Sequence, residues 1–455
     1  MTTQPNASSS IQSITGLRTD PLDLSRYEAL YKHFHSHPEL STQESATATT
    51  VIKHLHALST PSSPVLDVTG NIGGHGIAAV CSNGGGPTVL LRADMDALPV
   101  EEKTGLDYAS KIRMVDVDRV EKPVMHACGH DMHVTCLLAA TEHLMRIHEK
   151  WSGTLIVVFQ PNEERAGGAR AMVEGGLYEK VPVPDVVLGQ HVMPGRAGTV
   201  TCRKGTAMAA ADSFRVTVFG RGGHGSGPHT CVDPVVLAAN VVVRLQGIVS
   251  REIDPADVAV VTVGSIQAGE TVGWNCLLIG VLASLLMGRQ ENVISDRAVL
   301  RINVRSQKKA TREKVLSSIR RIIHAECDAS ASPKEPLIEE TTSFPLTVND
   351  EDIADQLGES FGTFFKEDFA SDKPASNASE DVSILATSVR VPCCFWFFGG
   401  TDQEKWDLAE RNGKLAEDIP TNHSSYFAPV IQPTMRIGVE ALCVAALTFL
   451  QKAQS

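Results

Sequence analysis

Met125-His-Ala-Cys-Gly-His-Asp-Met-His133 packs three histidines, a cysteine and an aspartate into nine residues, with Gly129 between Cys128 and His130. Thiolate and imidazole are the ligands that borderline-soft divalent cations such as zinc prefer. Two residues apart on a tight turn, Cys128 and His130 can reach one ion. Alone, the stretch also reads as a polar turn with a stray cysteine. The decision rests on whether other ligands arrive at matching places in the chain.

Working outward, they do. Upstream, Thr88-Val-Leu-Leu91 is a short apolar run suited to a buried strand, and it ends in Arg92-Ala-Asp-Met-Asp-Ala-Leu-Pro99. Downstream, Leu137, Leu138, Thr141, Leu144 and Met145 recur at helical spacing. Leu155–Phe159 reads as a second strand, ending in Gln160-Pro-Asn-Glu-Glu164. After a helix from about Gly168 to Glu174, Asp185–Leu188 reads as a third, ending in Gly189-Gln-His191. Strands alternating with helices imply an α/β layer with parallel strands. In such sheets sites lie outside the carboxyl ends of the strands. Asp96, the Cys128/His130 turn, Glu163, Glu164 and His191 are therefore expected on one rim.

The flanks are less informative. Residues 1–20 are polar and read as a mobile N-terminus. Leu24, Tyr27, Leu30, Tyr31 and Phe34 mark a helix that breaks at His37-Pro38, and a second helix covers Glu44 to Leu58. His33, His35 and His37 read as helix-end polar residues, since no carboxylate follows at ligand spacing. From Asp212 the pattern becomes strand (213–219), helix (234–249), strands (258–263 and 298–304) and helix (311–326). This predicts a smaller α+β domain over 212–329, inserted between two parts, 21–211 and 330–455, of the first. The chain closes with a strand over 391–398, a turn at Asn422-His-Ser424 and a helix from Thr434.

Bulk properties bound the function. At 455 residues, 42% hydrophobic and 21% charged, the chain has the size and composition of a two-domain globular protein. A formal net charge of -12 argues against nucleic-acid and anionic-membrane partners. Ten scattered cysteines without a CxxC pair suit a reducing compartment. No signal peptide is read at the N-terminus, and the longest apolar run, Cys276–Met287, is shorter than the roughly 20 residues of a spanning helix. A cytoplasmic location is expected.

Glu163-Glu164 follows a buried strand and a proline. Adjacent side chains at a strand end point in different directions, so one can bind a cation while the other serves as general base. Asp94 and Asp96 face the same way if the strand continues. One can orient a ligand imidazole, while a turn or capping role fits Asp94 better. His191 and His423 are single imidazoles, as often structural as ligating. Gly220-Arg-Gly-Gly-His-Gly-Ser-Gly-Pro-His229 is a glycine-rich turn whose histidine could donate to an oxyanion.

Together, Arg92–Pro99, Met125–His133, Gln160–Glu164 with Gly167-Gly168, Gly222-Gly-His224 with Pro228-His229, and Asn422–Ser424 resemble the M20 metallopeptidase family. The nearest branch is the M20D amidohydrolases, such as hippurate and auxin-conjugate hydrolases. The resemblance runs from about His37 to the closing helix. It implies a zinc-peptidase-like catalytic domain with a central mixed sheet, plus an inserted lid through which relatives often dimerise. It implies two divalent cations, Mn²⁺ or Zn²⁺, held by Cys128, His130, Glu164, His191 and His423. Glu163 corresponds to the general base and Asp96 to the acid supporting the metal site. His224 corresponds to the lid histidine that steadies the oxyanion, and Asn292 and Arg305 fall where wider relatives contact the substrate carboxylate. The implied substrate is a small N-acyl amino acid. A dipeptidase or carboxypeptidase, or an inactive binding homologue, are the alternatives.

The sequence departs from the family pattern in three places. Trp274–Met287 adds an apolar stretch (about 273–288) in the lid, readable as a lid element or as sequence included by an incorrect gene model, the second favoured. Asn162 stands where alanine is usual and Ser295 where proline is common. Ser379-Glu-Asp-Val-Ser383 lacks the family's aromatic at Val382, which implies a wider pocket.

Overall fold

The computed structural model describes residues 17, 22–59, 64–117, 119–269 and 291–450. All but Leu17 of the predicted mobile N-terminus, and all of the 273–288 segment, lie outside the described residues. The chain forms two compact units. The first comprises Met1–Ala207, Thr347–Ala375 and Glu380–Ser455, the second Met208–Leu346 with Ser376–Ser379.

The first unit begins with helices α1 (Ser25–Ser36) and α2 (Ser45–Leu58). Pro38 lies in the break between them, and the Glu39 carboxylate caps α2 by accepting the N–H groups of Ala46 and Thr47. An antiparallel hairpin follows, β1 (Leu66–Ile72) and β2 (Gly76–Asn83). Then come β3 (Thr88–Asp94), α3 (His130–Arg146), β4 (Gly153–Gln160), α4 (Gly168–Glu174), β5 (Val186–Arg196) and β6 (Val200–Thr201).

The second unit holds β7 (Ala210–Phe219), α5 (Pro234–Arg251), β8 (Ala259–Ala268), β9 (Arg297–Ser306), α6 (Lys309–Ala329) and β10 (Leu337–Phe344). The strands form an antiparallel sheet in the order β8-β9-β7-β10. In β9 every second residue is buried, and that face meets Leu237, Val241, Leu245 and Ile248 of α5 and Val315, Ile319, Ile322 and Ile323 of α6. A boundary at 329 is thus too early: β10 pairs with β7 and carries the second unit to Leu346. Helix α5 is apolar and long enough to cross a membrane by length and composition. One of its faces lies in this core, while Val235, Val236 and Val243 are exposed.

Back in the first unit run α7 (Glu351–Phe365), β11 (Phe369–Ala370), β12 (Cys393–Thr401) and α8 (Thr434–Phe449). Its sheet is mixed, in the order β1-β2-β4-β3-β5-β12-β6-β11, with β4, β3, β5 and β12 mutually parallel. Those strands are nearly continuous runs of buried Val, Leu, Ile and Phe because both faces are covered. Helix α3 lies in the core, packed against α8, where Cys136 Sγ meets the Met435 carbonyl. The nine described cysteines are free.

Candidate metal centre and active site

The turn before α3 is built around Gly129, whose φ is +84° and whose position would bring a Cβ to 2.4 Å from Val192 Cγ1. Only glycine fits both constraints. The turn sets Cys128 at the mouth of the helix and His130 in its first position, both buried. A second turn closes over it from far along the chain. The His423 N–H donates to the Ala127 carbonyl at 2.8 Å, and Asn422 Nδ2 donates to the carbonyls of Cys128 (3.2 Å) and Val192 (3.3 Å).

Nitrogen, sulfur and oxygen atoms of five side chains converge here. Cys128 Sγ lies 3.5 Å from His191 Nε2. Glu164 presents Oε1 to His130 Nε2 at 3.8 Å and Oε2 to His423 Nε2 at 3.4 Å. Cys128, Glu164 and His423 form one group able to hold a cation, and His130, Glu163 and Glu164 another. His423 is the exposed member.

The hydrogen bonds distinguish imidazoles with a free nitrogen from those without. His191 Nδ1 faces the Val192 carbonyl at 2.8 Å, so Nδ1 carries the proton and Nε2 keeps a free lone pair. His133 has none to spare: Nε2 accepts the Val192 N–H at 2.8 Å, and Nδ1 donates to Asp94 Oδ1 at 2.6 Å. His130 is fully buried, yet neither ring nitrogen has a hydrogen-bond partner, and Glu164 Oε1 is likewise unpartnered. Buried polar atoms are normally satisfied. Atoms left so among Cys, His and Glu donors are those a divalent cation would take up, so the residues fit such ions.

Charge supports this fit. Burial, then Glu164, Glu163 and Asp94, push the Cys128 thiol well above its usual range, so its thiolate form requires a neighbouring cation. Burial disfavours charge on His130, but Asp94, Asp96 and Glu164 outweigh it and raise its pKa to about 10. A bound cation would take the place of a proton on this ring.

Asp96 organises the acidic pair. Its Oδ1 accepts the N–H of Glu163 and its Oδ2 that of Glu164, both at 3.0 Å. The Ser41 hydroxyl donates to Oδ2 at 2.6 Å, and Oδ1 lies 3.4 Å from His130 Nδ1. Glu163 is buried beside Glu380 and Asp381. Burial first, then Glu380, Glu164 and Asp381, raise its carboxyl well above the ordinary range, which favours taking up a proton.

Several residues depart from expectation. Asp94 is not a turn or capping residue: it ends β3 fully buried, bonded to His133 and, at 2.7 Å, to Arg92 Nη1. Arg92 in turn binds Glu380 (2.8 Å), Asp381 (3.3 Å) and Gln160 (2.9 Å), a buried network the sequence reading missed. His35 lies in the last turn of α1, as expected, but not on the surface. It is buried, with Nδ1 2.7 Å from Asp131 and Nε2 3.0 Å from Glu102. Asn162 has φ +55°, a left-handed conformation that asparagine tolerates, and its N–H is held by Glu44 at 2.8 Å.

The other three candidates belong to the second unit. His224 Nδ1 accepts the Ser226 N–H at 3.1 Å, leaving Nε2–H as an exposed donor. The Gly225 N–H donates to the Asn292 carbonyl at 2.6 Å, so this turn brings His224 and Asn292 together. Arg305 lies near the end of β9.

Residues 90–419 match the profile of peptidase family M20/M25/M40. Hippurate hydrolase of Campylobacter jejuni is 36% identical over 341 residues, covering 74% of this chain and 79% of its own. IAA-amino acid hydrolase ILR1-like 4 of Arabidopsis thaliana is 31% identical over 398 residues, covering 87% and 79%. A crystal structure from methicillin-resistant Staphylococcus aureus, assigned to the aminohydrolases, superposes with a TM-score of 0.75 at 28% identity, covering 98% and 100%.

Proposed function

Because the chain belongs to peptidase family M20/M25/M40 and resembles its amidohydrolases, it is a hydrolase of amide bonds, and we propose that it releases amino acids from small N-acyl amino acids. The observation that carries this reading is Asp96 holding both amides of a glutamate pair: Glu164 faces His130 and His423 while Glu163 stays beside it as a base.

In this reading Cys128, His130, Glu164, His191 and His423 hold two divalent cations, Mn²⁺ or Zn²⁺. When bound, such ions supply Lewis acidity, acidifying a water and polarising the amide carbonyl. Glu163 takes the proton of the attacking water on its carboxylate and gives it to the amide nitrogen, which leaves as the free amine. Asp94 fixes His133, and Asp96 faces His130. His224 offers Nε2–H to the developing oxyanion, and Asn292 and Arg305 are the candidates for the substrate carboxylate. Proposed partners are the small-molecule substrate and, through the second unit, another copy of the chain. Exposed Val235, Val236 and Val243 on α5 and the outer strand β8 support that dimer. A cytoplasmic location, without nucleic-acid or membrane partners, completes the proposal.

The test is release of free amino acid from N-acetyl, N-benzoyl and indole-acyl amino acids by Mn²⁺- or Zn²⁺-loaded protein, with dipeptides alongside. Turnover of at least one acyl class is expected. Turnover of dipeptides alone would move the assignment to a peptidase.

A further inference from the structure

Glu44 is a fully buried carboxyl that the mechanism above does not use. It stands just before α2 but does not cap it, because the Glu39 carboxylate already accepts the N–H groups of Ala46 and Thr47. Instead its Oε1 accepts the Asn162 N–H at 2.8 Å and the Thr42 N–H at 2.9 Å. Oε2 is buried without a hydrogen-bond partner. Burial first, then Asp96, push this carboxyl up to about 8. Near neutral pH it therefore carries a proton much of the time, and Oε2 is the oxygen left to hold it.

The bond to Asn162 completes a pattern. The N–H groups of three successive residues, Asn162, Glu163 and Glu164, each end on a carboxyl oxygen: Glu44 Oε1, Asp96 Oδ1 and Asp96 Oδ2. Successive amides on a turn form a concavity suited to anions, and this one is filled by the chain's own side chains. One short turn governs both fillings, since Ser41 donates to Asp96 and Glu44 reaches Asn162. The turn is fastened beside Asp96: Leu40 bridges Ala97, and the Ala97 N–H donates to the Glu39 carbonyl at 2.8 Å. Asp96 grips the amides of Glu163 and Glu164, but Asn162 is the left-handed step that precedes them, at φ +55°. Its carbonyl accepts the N–H groups of Gly167 at 3.2 Å and Gly168 at 3.0 Å. With Glu44 on its N–H, both sides of Asn162 are fixed, and so is the direction in which the chain enters Glu163.

We propose that Glu44 is a positioning residue for the proposed base: by holding Asn162 in its left-handed conformation it aims the Glu163 carboxylate, while Asp96 alone suffices to keep Glu164 in place. This deepens the functional reading above and rests on it for the role of Glu163. The competing role is purely structural, in which the same bonds only fasten the 41–44 turn to the 161–168 turn.

Two variants of the full, metal-loaded chain separate the roles. Glu44→Met fills the space without an acceptor. Glu44→Gln keeps one acceptor oxygen for both N–H groups and places donors where the carboxyl carries its proton. The substrate is whichever N-acetyl, N-benzoyl or indole-acyl amino acid the wild type turns over fastest. In Glu44→Met, kcat should fall roughly ten- to hundredfold, the loss expected when a reacting group is misplaced by about 1 Å, with KM and metal per chain unchanged. Glu44→Gln should stay within about threefold of wild type. In a Glu163→Gln background, Glu44→Met should lower kcat by no more than about threefold further, because the group it aims is gone. Crystal structures should show Asn162 and the Glu163 carboxylate displaced in Glu44→Met, with Glu164 and both side chains of Glu44→Gln's 162–163 pair in place. Glu44→Ala carries the same predictions if the methionine chain does not fold. Wild-type kcat in Glu44→Met, equal losses with and without Glu163, a loss in Glu44→Gln as large as in Glu44→Met, or loss of metal along with activity overturns the proposal. A wild type that hydrolyses no N-acyl amino acid, while Glu44→Met still displaces the Glu163 carboxylate and spares Glu164, overturns the functional reading and leaves this inference standing.

Discussion

Asp96 Oδ1 accepts the backbone N–H of Glu163 at 3.0 Å, while Oδ2 of the same carboxylate accepts that of Glu164. One side chain therefore fixes both the proposed base and a candidate ligand, and it faces His130 as well. Asp96→Asn keeps one acceptor oxygen and replaces the other with a donor aimed at an N–H. Metal affinity, read by chelator competition, is expected to fall roughly 10- to 100-fold, the range for groups that orient ligands. Unchanged affinity would show that Asp96 does not support the centre.

Glu163→Gln removes the proposed proton acceptor and leaves the five candidate ligands intact. The expected result is a fall in kcat of about 10²- to 10⁴-fold with metal content per chain unchanged. Loss of metal together with activity would make Glu163 a ligand instead.

Gly129→Ala places a Cβ at φ +84° and 2.4 Å from Val192 Cγ1. Left-handed strain and overpacking together should cost about 2–4 kcal/mol, read from urea unfolding. Adding Val192→Ala relieves the clash but not the backbone strain, so the double variant should recover part of the loss.

The His35 imidazole donates to Asp131 and Glu102 from its two nitrogens, which requires both to be protonated. Burial opposes that charge, but the two carboxylates outweigh it and raise the pKa from 6.5 to about 9. The folded state binds the proton more tightly than the unfolded chain. The resulting stability, at most about 3 kcal/mol, is complete below pH 6.5 and is lost as pH rises through 9. Unfolding midpoints of the wild type should therefore decline across that window relative to His35→Gln. Parallel curves would mean that the ring is not charged.

How far the sequence could be read follows from which signals are local. Strands β3 and β4 stand out because both faces are buried, so their residues form unbroken apolar runs. The hairpin β1–β2 does not, because Thr69, Gly70 and Asn71 dilute its pattern. Asp94 was misassigned although Arg92, two residues earlier on the same strand face, was the available signal. His35 continues the buried helical stripe of Tyr27 and Tyr31, a spacing that outweighs its polarity. His423, exposed at φ +69°, carries no local signal. Its place beside Glu164 depends on an N–H reaching Ala127 from almost 300 residues away, and only family resemblance pointed to it. The second unit's limit at Leu346 was hidden because β10, with glutamates at 339 and 340, reads as polar.

The central claim is that Cys128, His130, Glu164, His191 and His423 hold the cations that make this chain a hydrolase. The most direct measurement is amide hydrolysis as metal is returned to stripped protein, with metal per chain counted by atomic emission for the wild type, Cys128→Ser and His191→Ala. The stripped protein should be inactive, activity should return as up to two equivalents bind, and both variants should bind less and recover little. Full activity without metal, or unaltered binding in both variants, would contradict it.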